Sequence, residues 1–422
     1  MLDFKHILNN EKKVRQNLIN RGFNIEIFDQ VVVLLKDRGS FMSNEQAKRA
    51  ELSKLSKLFG QFKNQPEELA KLKDQIATIK QELETLTTQT NEINSKINEL
   101  ILQIPNEPLD EVPVGKDEDE NIVINTYADL GRKLVKDVLP HYEIAKQLDI
   151  IDFDRATKLS GSRYVIYKNK GSQLVRALIN FMLDLHATKG YNEFNTPVIV
   201  NSSMLYGTGQ LPKFKEDLYK LEGLDQYLIP TAEVTLTNIY NHEIVDLSTP
   251  FRATAYTECF RSEAGSSGKD TKGIIRQHEF KKIELVKVTT QEDAMREFKL
   301  MLEDAKDVLK ALEIPFRELQ LCTGDMGFSA RTTVDLELWL PSEQRFREVS
   351  SVSYMGDFQA RRAMIRYRNS EGKTEYAHTM NGSGLAVDRV IACILEQYQN
   401  PDGTITIPTV LRKYMNNQEL IK

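Results

Sequence analysis

The chain has 422 residues, enough for two or three domains with a sizeable buried core. Charged residues make up 28% and the formal net charge is -5, which excludes wholesale coating of nucleic acid but leaves room for a local basic surface. Cys259, Cys322 and Cys393 lie far apart with no CxxC pair, so there is no zinc motif and a reducing compartment suits them. The start, MLDFKHILNNEKK, is charged and helical in pattern, unlike a signal peptide. No apolar run approaches the roughly 18 residues that a membrane span needs. A cytoplasmic protein with no membrane partner is expected.

In chain order, the first long helix is predicted over 27–59, with Phe28, Val31, Leu35, Met42, Leu52, Leu55 and Leu58 as its apolar positions. Residues 60–68 (GQFKNQPEE) read as a turn. From Leu72 the apolar positions Ile76, Ile79, Leu83, Leu86, Ile93, Ile97 and Leu100 alternate spacings of three and four, with Thr90 filling the gap. That is the seam of a coiled coil, and Pro105 and Pro108 stop it. Two long helices joined by a short turn most readily form an antiparallel hairpin, predicted over about 27–104. The first helix carries Lys36, Arg38, Lys48, Arg49, Lys54 and Lys57 against Asp37, Glu45 and Glu51. Charge alone is satisfied by a solvated face; the functional alternative is a rail for a phosphate backbone.

The acidic stretch DEVPVGKDEDE (110–120) reads as a linker, which divides the chain into a helical arm over 1–110 and a second domain over 111–422. Beyond it, helical stretches at 173–186 and 291–312 alternate with β-rich runs at 196–200, 251–260, 281–288 and 333–340. There is no regular βαβ beat and no GxxxxGK[ST] segment. An α+β fold with an antiparallel sheet flanked by helices is therefore expected, rather than a P-loop or Rossmann site.

The richest stretch for chemistry is FRSEAGSSGKDTKGIIRQHEFKKIE (260–284). Arg261 stands at the mouth of a hairpin whose return carries Arg276, Phe280 and Glu284. A cation with an aromatic opposite it suits an anion that bears a flat ring, and ATP is the obvious candidate. Thr231 and Glu233, two apart in PTAE, would face the same way on a strand. Glu348 stands beside several hydroxyls in REVSSVS (347–353). NGSGLAVDR (381–389) reads as a glycine-loosened turn running into a helix that bears Arg389. Each of these segments taken singly is more often structural than functional.

Together they resemble the seryl-tRNA synthetases of the bacterial kind, a class II aminoacyl-tRNA synthetase family. The resemblance covers essentially the whole chain. It includes the N-terminal hairpin, LSGSRYVIYK (159–168), YGTGQLPKF (206–214), IPTAEV (229–234) and the FRSEAG opening, then LCTGDMGFSA (321–330), DFQARR (357–362) and HTMNGSGLAV (378–387). YNEFNTPVIV (191–200) is similar to class II motif 1, which implies a homodimer; the Arg261 hairpin is similar to motif 2, and the segment ending in Arg389 to motif 3. The resemblance implies that Arg261 holds the α-phosphate of ATP and Arg389 the γ-phosphate, the two catalytic cations, with Phe280 on the adenine. Ser262 and Glu263 complete the nucleotide contacts. Glu348 holds Mg²⁺, with Val349, Ser350 and Ser351 beside it on the ATP. L-Serine would be held by Thr231 and Glu233, with Glu284 on its hydroxyl and Ser383 nearby. The hairpin would grip tRNA(Ser), with tRNA(Sec) as a second candidate substrate.

The chain departs from the usual family pattern at Thr235, Val352, Tyr354 and Asp388. Asp388 puts a negative charge beside Arg389 and is expected to face outward. Two other readings compete. A relative that loads a carrier protein would lack the hairpin seam, which is intact here. A decayed RNA-binding scaffold would not retain Arg261, Glu284, Glu348 and Arg389 together.

Overall fold

The computed structural model describes residues 1–59, 62, 65–132, 134–266, 268 and 270–422. They fall into two compact units, Met1–Pro105 and Asn106–Lys422. Of the turn expected at 60–68, Gly60, Gln61, Lys63 and Asn64 lie outside the described residues.

In the first unit, short helices Phe4–Asn9 and Glu11–Asn20 precede two long ones, Ile25–Leu58 and Pro66–Ile101. Asn24 caps the first by accepting from the Glu26 N–H, and Pro66 opens the second at a position whose N–H would be unpaired anyway. At 34 and 36 residues, each spans about 50 Å. Arg38 Nε donates to Asn94 Oδ1 at 2.7 Å, and farther along Lys48 Nζ lies 2.7 Å from Glu82. Moving forward along one helix moves backward along the other, so the pair is antiparallel. Leu72, Ile79, Thr90 and Ile97 are buried, and Ile76, Leu83, Leu86, Ile93 and Leu100 half-buried, as the seam requires. Met42 departs from its expected place: it is 45% exposed, and Phe41 turns inward instead. The middle of the first helix has few large apolar residues, so the contact stripe there runs through Phe41 and the stems of Glu45 and Lys48.

The second unit is built on an eight-stranded sheet. In spatial order its strands are Ile122–Tyr127, Phe316–Gln320, Thr332–Leu340, Arg345–Gly356, His378–Ala386, Glu279–Thr289, Phe251–Phe260 and Asn192–Glu193. All neighbours are antiparallel except the last pair, where the two-residue edge strand runs parallel to Phe251–Phe260. Residues 110–120, expected as a linker, pack onto this unit. Val112 is buried with Leu319, Leu321 and Met326, and the Thr323 and Gly324 N–H groups donate to the Pro113 and Gly115 carbonyls.

Alternation along the strands separates the core from the site. On Glu279–Thr289, Ile283 and Leu285 enter the main core, where they meet Leu178 and Met182 of helix Asn169–Thr188, Met301 and Val308 of helix Gln291–Ala311, and Ile391 of helix Val387–Gln397. Phe280, Lys282 and Glu284 point to the opposite face, into a cavity. One face of the sheet therefore carries the apolar core, and the other carries the chemistry.

Candidate active site

The cavity holds about 530 Å³, a size suited to a nucleotide-sized ligand. The strand Phe251–Phe260 leads into Arg261, and the return strand Glu279–Thr289 brings Phe280 back beside it. The Arg261 guanidinium carbon sits 5.2 Å from the Phe280 ring centroid, and its Nε donates to the Pro230 carbonyl at 3.4 Å. Arg261, Glu263 and Phe280 line the cavity together with Glu348, Val349, Ser351 and Arg389.

Two bulges set this lining. Val349 is the extra residue where Leu336 pairs Ser350 and Glu337 pairs Glu348, so strand parity shifts and both Glu348 and Ser351 face the cavity. Gly384 is the extra residue where Ser383 pairs Glu284 and Leu385 pairs Ile283. A Cβ on Gly384 would lie 2.6 Å from His186 Nε2, which donates to the Gly384 carbonyl at 2.8 Å. Burial pushes the His186 imidazole down to about 4, so it is neutral at pH 7.

Two expected site residues stand behind the lining. Ser350 is buried and donates its hydroxyl to the Ser383 carbonyl at 2.7 Å. Ser262 donates its hydroxyl to the Glu216 carbonyl at 2.6 Å, tying the hairpin mouth to its neighbour. Thr231 and Glu233 do line the cavity, but not from a strand: a short helix begins at Glu233, and Thr231 Oγ1 accepts from the Glu233 N–H at 3.3 Å. NGSG is likewise not a turn. It belongs to strand His378–Ala386, because ladder partners on both sides hold it extended.

Asp388 faces inward, contrary to expectation. It is 3% exposed, and its two oxygens accept from Tyr167 Oη at 2.5 Å and from the Lys281 N–H at 2.7 Å. Those donors, and its place in the first helical turn, satisfy the carboxylate without Arg389. The Arg389 guanidinium instead donates to the Glu348 carbonyl at 2.6 Å and the Ile275 carbonyl at 3.2 Å.

The carboxylate end is deeply buried. Glu284 is 0% exposed; Asn381 Nδ2 donates to its Oε1 at 2.9 Å, and Lys282 Nζ lies 2.6 Å from Oε2. Lys282 also donates to Thr231 Oγ1 at 2.8 Å, so it bridges two residues expected to hold serine. Gln359 donates to Glu233 Oε1 at 2.6 Å, its orientation fixed because Thr379 donates to its carbonyl oxygen at 2.7 Å. Burial first, then neighbouring Glu284, push the Glu233 carboxyl up to about 7; the Gln359 bond, Lys282 and Arg261 pull the other way. Asp335 is pushed well up by burial and by Glu348, and its Oδ1 has no partner among the described residues.

Sequence reasoning missed Lys282, Asp335, Asn381 and Gln359. Lys282 was reachable, since it lies midway between Phe280 and Glu284 on one strand face. The other three approach the site from strands and a helix whose registers no local pattern announces.

Residues 1–108 match the family model described as the seryl-tRNA synthetase N-terminal domain. Residues 218–398 match the tRNA synthetase class II core domain (G, H, P, S and T). The serine–tRNA ligase of Mycoplasmopsis agalactiae is 59% identical over 420 residues, covering 100% of both chains. The chain belongs to the seryl-tRNA synthetase family. The serine–tRNA ligase of Mycoplasma mobile is 52% identical over 421 residues, again covering 100% of both. The crystal structure of seryl-tRNA synthetase from Pyrococcus horikoshii complexed with ATP superposes with a TM-score of 0.95 at 33% identity, covering 100% of this chain and 99% of that one. Membership in the seryl-tRNA synthetase family accounts for both units, the long helical hairpin and the class II sheet. Among the described residues no helix is long and apolar enough to cross a membrane.

Proposed function

We propose that the cavity is where serine is activated and that the helical hairpin carries the tRNA. The chain is an ATP-dependent aminoacyl-tRNA ligase for serine: it joins L-serine to ATP as seryl-adenylate and passes the seryl group to the 3′ end of tRNA(Ser). The observation that carries the assignment of the site is the convergence of two arginines, Arg261 and Arg389, with two buried carboxylates, Glu233 and Glu284, on one cavity.

The nucleotide lies at the arginine end. Arg261 takes the α-phosphate, Phe280 the adenine and Arg389 the γ-phosphate, with Glu263, Val349 and Ser351 flanking; Ser262 and Ser350 hold the frame from behind. Serine lies at the carboxylate end, its ammonium on Glu233 and Thr231, its hydroxyl on Glu284, with Ser383 alongside. The serine carboxylate is already ionised and attacks the α-phosphorus in line, while Arg261 holds the charge that develops there and pyrophosphate leaves. Positioning and cations do the catalysis, so no side chain acts as general base. Glu348 would hold Mg²⁺, and neighbouring Asp335, whose buried Oδ1 has no partner among the described residues, would supply a second oxygen ligand, with the Ser351 hydroxyl adjacent. Bound there, it would offset charge on the phosphates.

Glu284 gives the selection for serine. Alanine would leave this buried carboxylate without its hydroxyl partner, a heavy penalty, whereas threonine is opposed only by crowding of one methyl group. Serine-dependent ATP–pyrophosphate exchange tests the site, and a chain that shows none sinks the reading.

A pH dependence follows from Glu233. Its carboxyl titrates at about 7 in the empty site, and only the ionised form pairs with the serine ammonium. Below that value serine must displace a proton, so its KM should climb roughly tenfold per pH unit, while the ATP KM stays flat. Exchange kinetics between about pH 5.5 and 8 check this; a flat serine profile would remove Glu233 from the ammonium site.

On the hairpin, Lys36 pairs with Glu11, Lys48 with Glu51 and Glu82, and Arg49 with Glu45, whereas Lys54 and Lys57 make no ion pair among the described residues. On the first long helix these two are available for the RNA backbone of tRNA(Ser), with tRNA(Sec) a second candidate substrate of the same shape class. Replacing both with glutamate should lower kcat/KM for tRNA charging roughly tenfold and leave exchange untouched. The enzyme works in the cytoplasm as a homodimer. The parallel edge strand Asn192–Glu193, in the motif 1 segment, supports that assembly, and sedimentation tests it.

A further inference from the structure

We propose that His141 is the fixed anchor of the nucleotide-binding hairpin, a positioning residue that holds the hairpin's return end to the helix carrying Arg389 when that arginine turns to ATP. The proposal rests on the reading that this hairpin and Arg389 bind the nucleotide.

His141 is 1% exposed and lies in none of the segments that carry the chemistry. Its backbone N–H donates to Glu396 Oε1 at 2.9 Å, and its Nδ1 lies 2.8 Å from the same oxygen. Glu396 is 0% exposed, and its carboxylate also accepts from the Ser342 N–H at 3.0 Å and the Ser342 hydroxyl at 2.9 Å. A carboxylate oxygen can only accept, so Nδ1 carries the proton and Nε2 presents its lone pair. That lone pair accepts the N–H of Ile274, 3.2 Å away and 1% exposed. The approach is possible only because residue 273 is glycine: its φ is +76°, and a Cβ there would lie 2.1 Å from Nε2.

Glu396 and Arg389 sit two turns apart on the helix Val387–Gln397. That helix therefore grips two successive residues of the hairpin's return: Ile274 through Glu396 and His141, and Ile275 through the Arg389 Nε bond to its carbonyl at 3.2 Å. The second grip is temporary, because an arginine that binds the γ-phosphate releases the Ile275 and Glu348 carbonyls. The first uses no group that touches ATP, so it persists. Without it a buried N–H loses its partner at the moment the loop must hold still.

Two substitutions separate the anchor from the packing. His141→Asn puts an amide near the Nδ1 position, keeping the Glu396 contact and losing the acceptor for Ile274. His141→Gln reaches the Nε2 position with a carbonyl oxygen. In pyrophosphate exchange with the full chain, His141→Asn should raise the ATP KM roughly tenfold with the serine KM within about twofold, and His141→Gln should recover most of the loss. Equal behaviour of the two variants, or a parallel rise in both KM values, would overturn the anchor. Arg389→Ala is the reference: if it leaves the ATP KM unchanged, the nucleotide assignment itself fails and the proposal with it. If it acts and His141→Asn does not, only the anchor fails. Hydrogen exchange on the unaltered chain covers the case of a variant that does not fold. The Ile274 amide should stay protected with and without ATP, and rapid exchange in either state would refute the role.

Discussion

Replacing Arg261 with alanine is expected to lower serine-dependent pyrophosphate exchange by about 10²–10³, the usual cost of one preorganised contact to developing charge. The loss should fall on kcat, because the charge it meets builds at the α-phosphorus as the serine carboxylate adds. Folding should barely change. Arg261 is exposed, its guanidinium is held by the long bond to the Pro230 carbonyl, and its main-chain bonds to His278 survive the change, so the stability cost should stay within about 0.5 kcal/mol. A melting curve beside the exchange assay separates the two. A variant that melts like the parent and still exchanges at the parental rate would take Arg261 out of the mechanism.

The second large effect concerns the helical unit. Removing Met1–Pro105 should leave exchange within about twofold and cut charging of tRNA(Ser) by more than about 10², because phosphate contacts supply most of the affinity for RNA. The cut has to take the whole unit rather than the long helices alone. Lys36 pairs with Glu11 and Arg15 with Asp29, so the first twenty residues fold against the root of the hairpin and would be orphaned without it. Charging at the full rate by the trimmed chain would end the role given to the hairpin. Loss of both reactions would tie the unit to the cavity.

Much of the fold was legible because its periodicities are long and local. The heptad run that ends at Leu100 and the strand at 251–260 appear where their spacing puts them. The helix at 291–312 ends one residue early, which is ordinary fraying of a boundary. Where the pattern thinned, around Met42, the expected residue pointed the wrong way. The motif strings led to one cavity, which Arg261, Glu284, Glu348 and Arg389 line together. They could not say which members line it. Ser262 and Ser350 spend their hydroxyls on backbone carbonyls, while Lys282, Gln359 and Asp335 stand at or near the chemistry unannounced.

The sequence by itself determined the antiparallel hairpin, the sheet-and-helix class and the family, since each rests on spacing within a segment or on long ordered strings. The tertiary structure decided direction and partnership. Bulges at Val349 and Gly384 shift strand parity by one residue and so choose which side chains meet the cavity. Asp388 turns inward because Tyr167 and the Lys281 N–H, brought from distant segments, are there to receive it. His141 becomes an anchor only because Glu396, more than two hundred residues away, accepts the hydrogen bond of its Nδ1. Local periodicity fixes which face of an element is apolar; the charge a buried polar group meets is set by chain segments that approach it only after folding.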